Sequence, residues 1–287
     1  MKNIIELRDV NYIYSKGTPF EKKALNNISV GFEKGKITGL IGHTGSGKST
    51  LVSLLNGLNK PSSGQVFFNG VDIWEKPKEI GKIRFKVGLV MQYPEYQLFE
   101  DTVEEDIGFG PKNLGISGDE LKNRVKDAAM FAGLNDELLD KSPFELSGGQ
   151  KRRVAIAGII AMHPEVLVLD EPAAGLDPRG RKEILLGLKR LVEETGTTLI
   201  IVSHSMEDMA MICDNIVVMY DHNVHKVGTV EEIFRCADEL SSVGLDIPMV
   251  SRIAIGLEKN GIVLNGSTYT IEGLKNAILE YIGEGTV

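Results

Sequence analysis

Residues 42–50 read Gly42-His43-Thr44-Gly45-Ser46-Gly47-Lys48-Ser49-Thr50, and they constrain the fold more than any other stretch of the chain. They match G-x-x-x-x-G-K-[ST] in full, with the apolar run Ile37 to Ile41 before them and a helix-like Leu51 to Leu58 after. A buried strand feeding a helix through a glycine-rich turn belongs to an α/β domain. Glycines let the backbone wrap closely, so that its N–H groups point inward at an anion. The start of the helix adds partial positive charge. In such a loop Lys48 sets a point charge on the β/γ-phosphates, and Ser49 offers Mg²⁺ a hydroxyl.

Two further runs, Val166 to Leu169 and Thr198 to Val202, read as buried strands that stop at polar residues. Open α/β sheets bind ligands beyond the carboxyl ends of their strands, so chemistry is expected at those endings. Asp170 and Glu171 follow the first of them. Next to a phosphate loop, Asp170 suits Mg²⁺, held through its water shell, and Glu171 suits a general base for water. Without that loop the pair would read equally well as surface acids. Leu146-Ser147-Gly148-Gly149-Gln150 precedes Lys151-Arg152-Arg153 and the apolar helix pattern Val154 to Met162. Ser147 falls where a helix N-cap belongs, which makes a second anion nest. One nucleotide needs only one nest. Two chains resolve the excess, with the nest of one covering the γ-phosphate held by the other.

The balance of the chain excludes other classes. The 287 residues carry a net charge of −8, against the basic balance of a sequence-independent nucleic-acid binder. Two cysteines, Cys213 and Cys236, do not predict a disulfide framework, and a reducing cytosolic setting is expected. Charges interrupt the only apolar patch of Met1 to Asp9, so no secretory signal is predicted there. No run approaches the roughly 18 apolar residues of a spanning helix, so any membrane role must come through a partner. About Pro94 to Ala161 reads as a helical insertion, with Asp119 to Phe131 as one helix. Motifs stop after about Thr229, and residues 236–287 read as a C-terminal extension. Within it Ile253 to Leu257 and Leu274 to Ile282 are expected as helices, and Ile262 to Leu264 as a short strand.

Taken in order, the phosphate loop, Gln92, the Leu146–Gln150 signature, Asp170-Glu171, Ala174-Gly175-Leu176-Asp177 and His204 resemble the nucleotide-binding domains of ABC ATPases over about residues 3–230. The five-residue signature is diagnostic of that family in a way the phosphate loop is not. The resemblance implies an α/β fold: a P-loop NTPase core over residues 1–235, with a helical subdomain at about 94–161 and the small extension. It implies ATP and Mg²⁺. Nucleotide contacts would come from Tyr14, from all of Gly42, His43, Thr44, Gly45, Ser46, Gly47, Lys48, Ser49 and Thr50, and from Ser147, Gly148, Gly149 and Gln150. Metal ligands would be Ser49, Gln92 and Asp170, and the catalytic set Lys48, Gln92, Glu171 and His204. Tyr14 matches the aromatic that stacks on adenine, with Tyr12 and Phe20 as alternatives. Asp177 matches the loop that links two sites across a dimer. His43, at an x position, is given no catalytic part, and His163, His222 and His225 are expected at the surface.

A narrower resemblance rests on Gln92-Tyr93-Pro94-Glu95-Tyr96-Gln97-Leu98-Phe99-Glu100-Asp101-Thr102-Val103, on Phe109 to Asn113, on Gly17 to Glu21 and on Gly42 to Gly45. These stretches are similar to the second ATPase paralogue of energy-coupling factor importers of vitamins and trace metals. That implies a peripheral subunit on the cytoplasmic face of the cell membrane. Its implied partners are a paralogous ATPase or a second copy, a transmembrane coupling subunit, and membrane substrate-binding subunits, with no nucleic acid. Tyr93, Tyr96, Leu98 and Phe99 would line the groove for the coupling subunit, or fill a helical core. The extension would strengthen pairing between the ATPases. Other classes remain to be set against this: the ATPase of a conventional importer or exporter, a soluble regulator on ribosomes or DNA, and a scaffold that binds without hydrolysing.

Overall fold

The computed structural model describes residues 2–284. Met1, the first residue of the expected ATPase domain, and residues 285–287, the last of the expected extension, lie outside the described residues. The chain opens with two long strands, β1 (Asn3–Tyr14) and β2 (Lys22–Glu33), then β3 (Ile37–Gly42), the glycine-rich loop and α1 (Lys48–Leu55). Next come β4 (Ser63–Phe68), β5 (Val71–Asp72), α2 (Ile80–Lys86) and β6 (Val87–Val90). Three helices follow, α3 (Val103–Asn113), α4 (Gly118–Phe131) and α5 (Gly148–Ile160). The chain returns through β7 (Val166–Asp170), α6 (Pro178–Thr195), β8 (Thr198–Val202), α7 (Met206–Ile212), β9 (Asn215–Tyr220) and β10 (Asn223–Thr229). It continues through α8 (Val230–Phe234), α9 (Ala237–Ser242), α10 (Met249–Lys259) and α11 (Ile271–Glu284).

Two sheets form, one antiparallel in the order β2-β1-β4-β5, the other in the order β10-β9-β3-β8-β7-β6. In the second, all neighbours but β9 and β10 run parallel. Strands β3, β7 and β8 are buried along their whole length because both faces of the sheet are covered there, whereas the edge strand β10 is half open. Leu167, Leu169, Leu199 and Ile201 enter a core shared with α5, α6 and α7. Their alternates Val166, Val168, Ile200 and Val202 enter a second core with Leu51, Leu54 and Leu55 of α1 and with Leu7, Val30 and Phe32 of the antiparallel sheet. The three strands expected from sequence are present, with Gly42 and Asp170 added at two carboxyl ends. Parallel pairing of β3, β6, β7 and β8 brings their carboxyl ends to one edge, and that edge carries the chemistry.

Helix α1 stops at Leu55, three residues short of the expected Leu58, because Gly57 takes φ 68°. Helix α5 begins at the expected Ser147 cap and ends at Ile160, two residues short of the expected Met162. The expected strand Ile262 to Leu264 does not form. Gly261 at φ 84° ends α10, its N–H bonds to Glu258 O at 2.9 Å, and the Ile262 N–H bonds to Leu257 O at 3.0 Å. That is a Schellman cap, and it takes the amide a strand would have used. Cys213 packs under β3 with its Sγ 3.7 Å from Met209 Sδ, and burial pushes its thiol pKa up.

Helix α4 ends against α6 at Gly187. A Cβ built there would lie 2.1 Å from the carbonyl oxygen of Phe131. In an open helix Gly→Ala stabilises by roughly 1 kcal/mol, but forcing a backbone apart costs about 1–3 kcal/mol. The second effect wins here, so Gly187→Ala lowers the denaturant midpoint with m unchanged; a raised midpoint would show that the contact yields freely.

Candidate functional site

At the shared edge lies a cavity of about 410 Å³. Lys48, Ser49 and Thr50 line it together with Thr44, Gly45 and Gly47. Gln92, two residues past β6, Asp170 and Glu171 at the end of β7, and His204 past β8 close its opposite wall. The loop turns through Gly45 (φ 86°) and Gly47 (φ 104°). At Gly47 a Cβ would stand 2.6 Å from the carbonyl oxygen of Ala24, so the loop also needs glycine for close approach.

Three members of the expected run do not line the cavity. Gly42 and His43 instead supply the carbonyls that accept from Lys48 Nζ, at 2.6 and 3.1 Å. The His43 ring packs edge-on to Tyr220, its Nδ1 2.8 Å from Thr44 O. Ser46 is fully buried, and its hydroxyl has no hydrogen-bond partner.

Of the three aromatics, Tyr14 alone lines the cavity. Its hydroxyl is 3.0 Å from Thr50 Oγ1, which ties the ring to the first turn of α1. Tyr12 packs against the core between the sheets, where burial raises its phenol, and Phe20 is 84% exposed. Sequence reasoning missed Lys22, Ala24 and His222, which also line the cavity. Lys22 faces Tyr14 across the β1–β2 register, so knowing that pairing would have found it. His222, expected at the surface, is half-buried at φ 66° in the hairpin between β9 and β10. The Asn26 N–H bonds to its carbonyl at 2.8 Å and draws the hairpin onto β2, and its Nδ1 is buried without a partner. His163 and His225 are exposed, as expected.

Charge at the site is poorly compensated. Burial lowers the pKa of Lys48, against the opposing pull of Asp170 and Glu171. Burial raises Asp170, although the Ser49 hydroxyl donates to its Oδ2 at 2.9 Å. Glu171 is pushed up to about 7, first by burial and then by Asp170, with Lys48 and the His204 backbone opposing. Its Oε1 is buried without a hydrogen bond, 3.5 Å from His204 Nε2. Burial and Lys48 lower His204. The Glu171 backbone sits at φ 53°, where non-glycine residues rarely rest. Two carboxylates with raised pKa values beside a hydroxyl and an amide oxygen form a hard, oxygen-rich set that fits Mg²⁺. The glycine cradle, Lys48 and the start of α1 fit a phosphate chain.

The signature does not line this cavity. Ser147 caps α5 reciprocally: Gln150 N–H donates to Ser147 Oγ at 3.3 Å, and Ser147 N–H to Gln150 Oε1 at 3.0 Å. Ser147 and Gly148 are exposed, so this helix start faces outward. Asp177 caps α6 by accepting from Gly180 N–H at 2.8 Å.

A folded pKa near 7 against an ordinary 4.5 means that Glu171 binds its proton more tightly when folded. Its contribution is therefore lost as pH rises above the unfolded value and is at its worst above the folded one. In chelator without nucleotide, Glu171→Gln should raise the thermal midpoint at pH 8 by roughly 2–6 °C, with the gain shrinking toward pH 5. An equal gain at both pH values would remove ionisation as its cause.

A family profile described as ABC transporter matches residues 25–174. The energy-coupling factor transporter ATP-binding protein EcfA2 of Clostridium acetobutylicum is 52% identical over 279 residues, covering 97% of this chain and 98% of that one. EcfA2 of Caldanaerobacter subterraneus subsp. tengcongensis is 51% identical over 278 residues, with 97% of each covered. Among solved structures, cbiO1 from Clostridium perfringens, part of the ABC transporter complex cbiONQ, superposes with a TM-score of 0.76 at 39% identity. That match covers 88% of this chain and 99% of cbiO1. The dimeric bacterial ABC transporter cassette MJ0796 gives 0.71 at 30% identity, covering 79% and 98%. With its glycine-rich loop, its capped signature helix and near-complete coverage of these relatives, the chain belongs to the energy-coupling factor transporter ATP-binding proteins of the ABC transporter family.

Proposed function

We propose that this chain is the ATP-hydrolysing motor subunit of an energy-coupling factor importer and works as one half of an ATPase pair. A single observation carries the reading. Lys48, Ser49, Asp170, Glu171 and His204 converge on one cavity, while the second anion nest, at Ser147, opens elsewhere. Each chain thus holds one half of two sites, and the dimeric relative shows that such cassettes pair. The second chain is a paralogous ATPase or another copy of this one.

Tyr14 stacks on the adenine, and the loop amides and Lys48 hold the phosphates. Ser49, Asp170 and Gln92 would hold Mg²⁺, which neutralises phosphate charge when bound. Glu171 takes the proton of the attacking water, and His204 contacts the γ-phosphate from the adjoining strand. Lys48 exchanges its two carbonyl partners for phosphate oxygens. Loss of the γ-phosphate removes the charge shared between Lys48 and the facing Ser147 nest, and the halves separate.

The segment after Gln92 meets the transmembrane coupling subunit. Tyr93, Tyr96 and Phe99 are 53%, 85% and 58% exposed, too open to serve as a helical core, whereas Leu98, expected beside them in the groove, is half-buried and packs against the core. Fully desolvated aromatic anchors of this kind dominate docking energies. Residues 94–161 act as the helical subdomain, and among the described residues they contain α3 to α5 and no strand. In the extension, α10 and α11 present Met249, Ile253 and Leu279, which pair with the second ATPase. Among the described residues no helix is long and apolar enough to cross a membrane. Attachment to the cytoplasmic face of the cell membrane therefore runs through the coupling subunit. Vitamins or other micronutrients enter through separate membrane substrate-binding subunits.

General-base assistance supplies about 10²–10⁴-fold in rate. Glu171→Gln in the purified assembly should lose about that much turnover while ATP affinity persists, whereas Lys48→Ala should abolish binding in an equilibrium titration. Near-normal turnover by the first variant would take the base role from Glu171. Purification from membranes should recover the coupling subunit, and recovery of ribosomes instead would overturn the transport assignment.

A further inference from the structure

Arg152 joins three segments that lie far apart in the sequence. Its Nε and Nη2 donate to the two carboxylate oxygens of Glu95 at 3.1 and 2.8 Å. Its Nη1 donates to the carbonyl oxygen of Ala174. The guanidinium also stands over the Tyr93 ring, 5.9 Å from its centroid. The Arg152 and Glu95 side chains are 6% and 16% exposed, a more enclosed ion pair than Arg124–Glu120, Arg153–Glu183, Arg181–Asp208 or His204–Glu171.

A buried pair of this kind adds little net stability over well-packed apolar residues, because both ions lose water. What it does fix is geometry, since a bidentate fork sets angle as well as distance. The segments it fixes matter. Glu95 points inward from the same short turn whose Tyr93 and Tyr96 point outward. Ala174 lies in the loop that leaves Glu171, and its N–H bonds back to the Glu171 carbonyl at 3.2 Å. The start of α5 touches that loop again at Gly149, where a Cβ would meet Leu176 at 2.8 Å. The outward turn, the signature helix and the loop behind Glu171 thus share one guanidinium.

We infer that Arg152 is a positioning residue that carries displacement of the Gln92–Phe99 segment, when the membrane coupling subunit docks there, to the loop that aims Glu171. This rests on the docking surface proposed above. Glu95 is the input, and the Ala174 carbonyl is the output. Lysine could not serve in its place, because one ammonium cannot reach the carboxylate fork and the carbonyl in fixed directions together.

The test uses the ATPase pair with and without its coupling subunit, in wild type, Glu95→Gln and Arg152→Lys. ATP affinity and turnover of the Glu95→Gln pair alone should stay within about twofold of wild type, while stimulation by the coupling subunit falls about 3- to 30-fold. Combining Glu95→Gln with Tyr96→Ala should cost less than the sum of the two changes, because both break one path. Stimulation that stays at the wild-type level in both variants overturns the inference. So does an equal loss of turnover with and without the coupling subunit, or failure of both variants to fold, since either makes the pair a structural brace. Wild-type protein that no coupling subunit stimulates would sink the docking surface itself and is read separately.

Discussion

A buried lysine holds the functional edge together. Lys48 is 6% exposed, and its ammonium is satisfied by the carbonyls of Gly42 and His43. Its charge acts on Asp170 and Glu171 at the end of a different strand. Carbonyl dipoles can hold a cation, but they cannot neutralise the buried Asp170 and half-buried Glu171 carboxylates. The edge therefore keeps excess negative charge that a divalent metal would relieve and a bare polyphosphate would worsen. Nucleotide and metal make sense here only as a pair, and the glycine loop must stay tight for Lys48 to reach both. At Gly42, a side chain would collide with the Met219 carbonyl at 2.4 Å and pry the loop from β9.

The same arrangement explains why so much was legible in the sequence. Strands β3, β7 and β8 are covered on both faces, so they read as short unbroken apolar runs, and their ends mark the site. Asp170 and Glu171 were found because parallel pairing makes "after the strand" a position in space; Gln92 and His204 were named only through the family resemblance, and the same pairing explains why they meet at this edge. What escaped is what parallel pairing does not place. Strands β1 and β2 pair through several register shifts, which blur their alternation, so Lys22 opposite Tyr14 was hidden. His222 reaches the cavity only because a hairpin closes on Asn26 at the far end of the chain. Ile262 to Leu264 has the residues of a strand, but helix capping competes for its first amide, and the local bond won.

Arg152 and Arg153 escaped for a related reason. Sequence places them after the signature but does not say what they pair with. Positive charge near a helix start is nonetheless unfavourable against its dipole, so two arginines there call for other partners. The structure supplies them. Arg153 donates to the Gly133 and Gly180 carbonyls at 2.8 and 3.2 Å and to Glu183 at 3.0 Å, while Arg152 takes Glu95 and Ala174. Adjacent residues on α5 thus grip both ends of the segment running from the Ala174 loop into Gly180 in the first turn of α6.

That grip bears on how two half-sites could act together. On the proposed reading a chain's signature serves its neighbour's nucleotide, while the chain's own Glu171 serves its own. The loop held by Arg152 and Arg153 lies between those two features in one molecule. A shift of the signature helix, from whichever side it comes, must then move the backbone behind Glu171 or break buried hydrogen bonds. Glu171 already sits at a costly φ with an unpartnered buried oxygen, so a small backbone change there alters its ionisation and its aim. The stiffest contacts in this region lead to its least comfortable residue, and that is the arrangement a motor needs if events at one site are to be felt at the other.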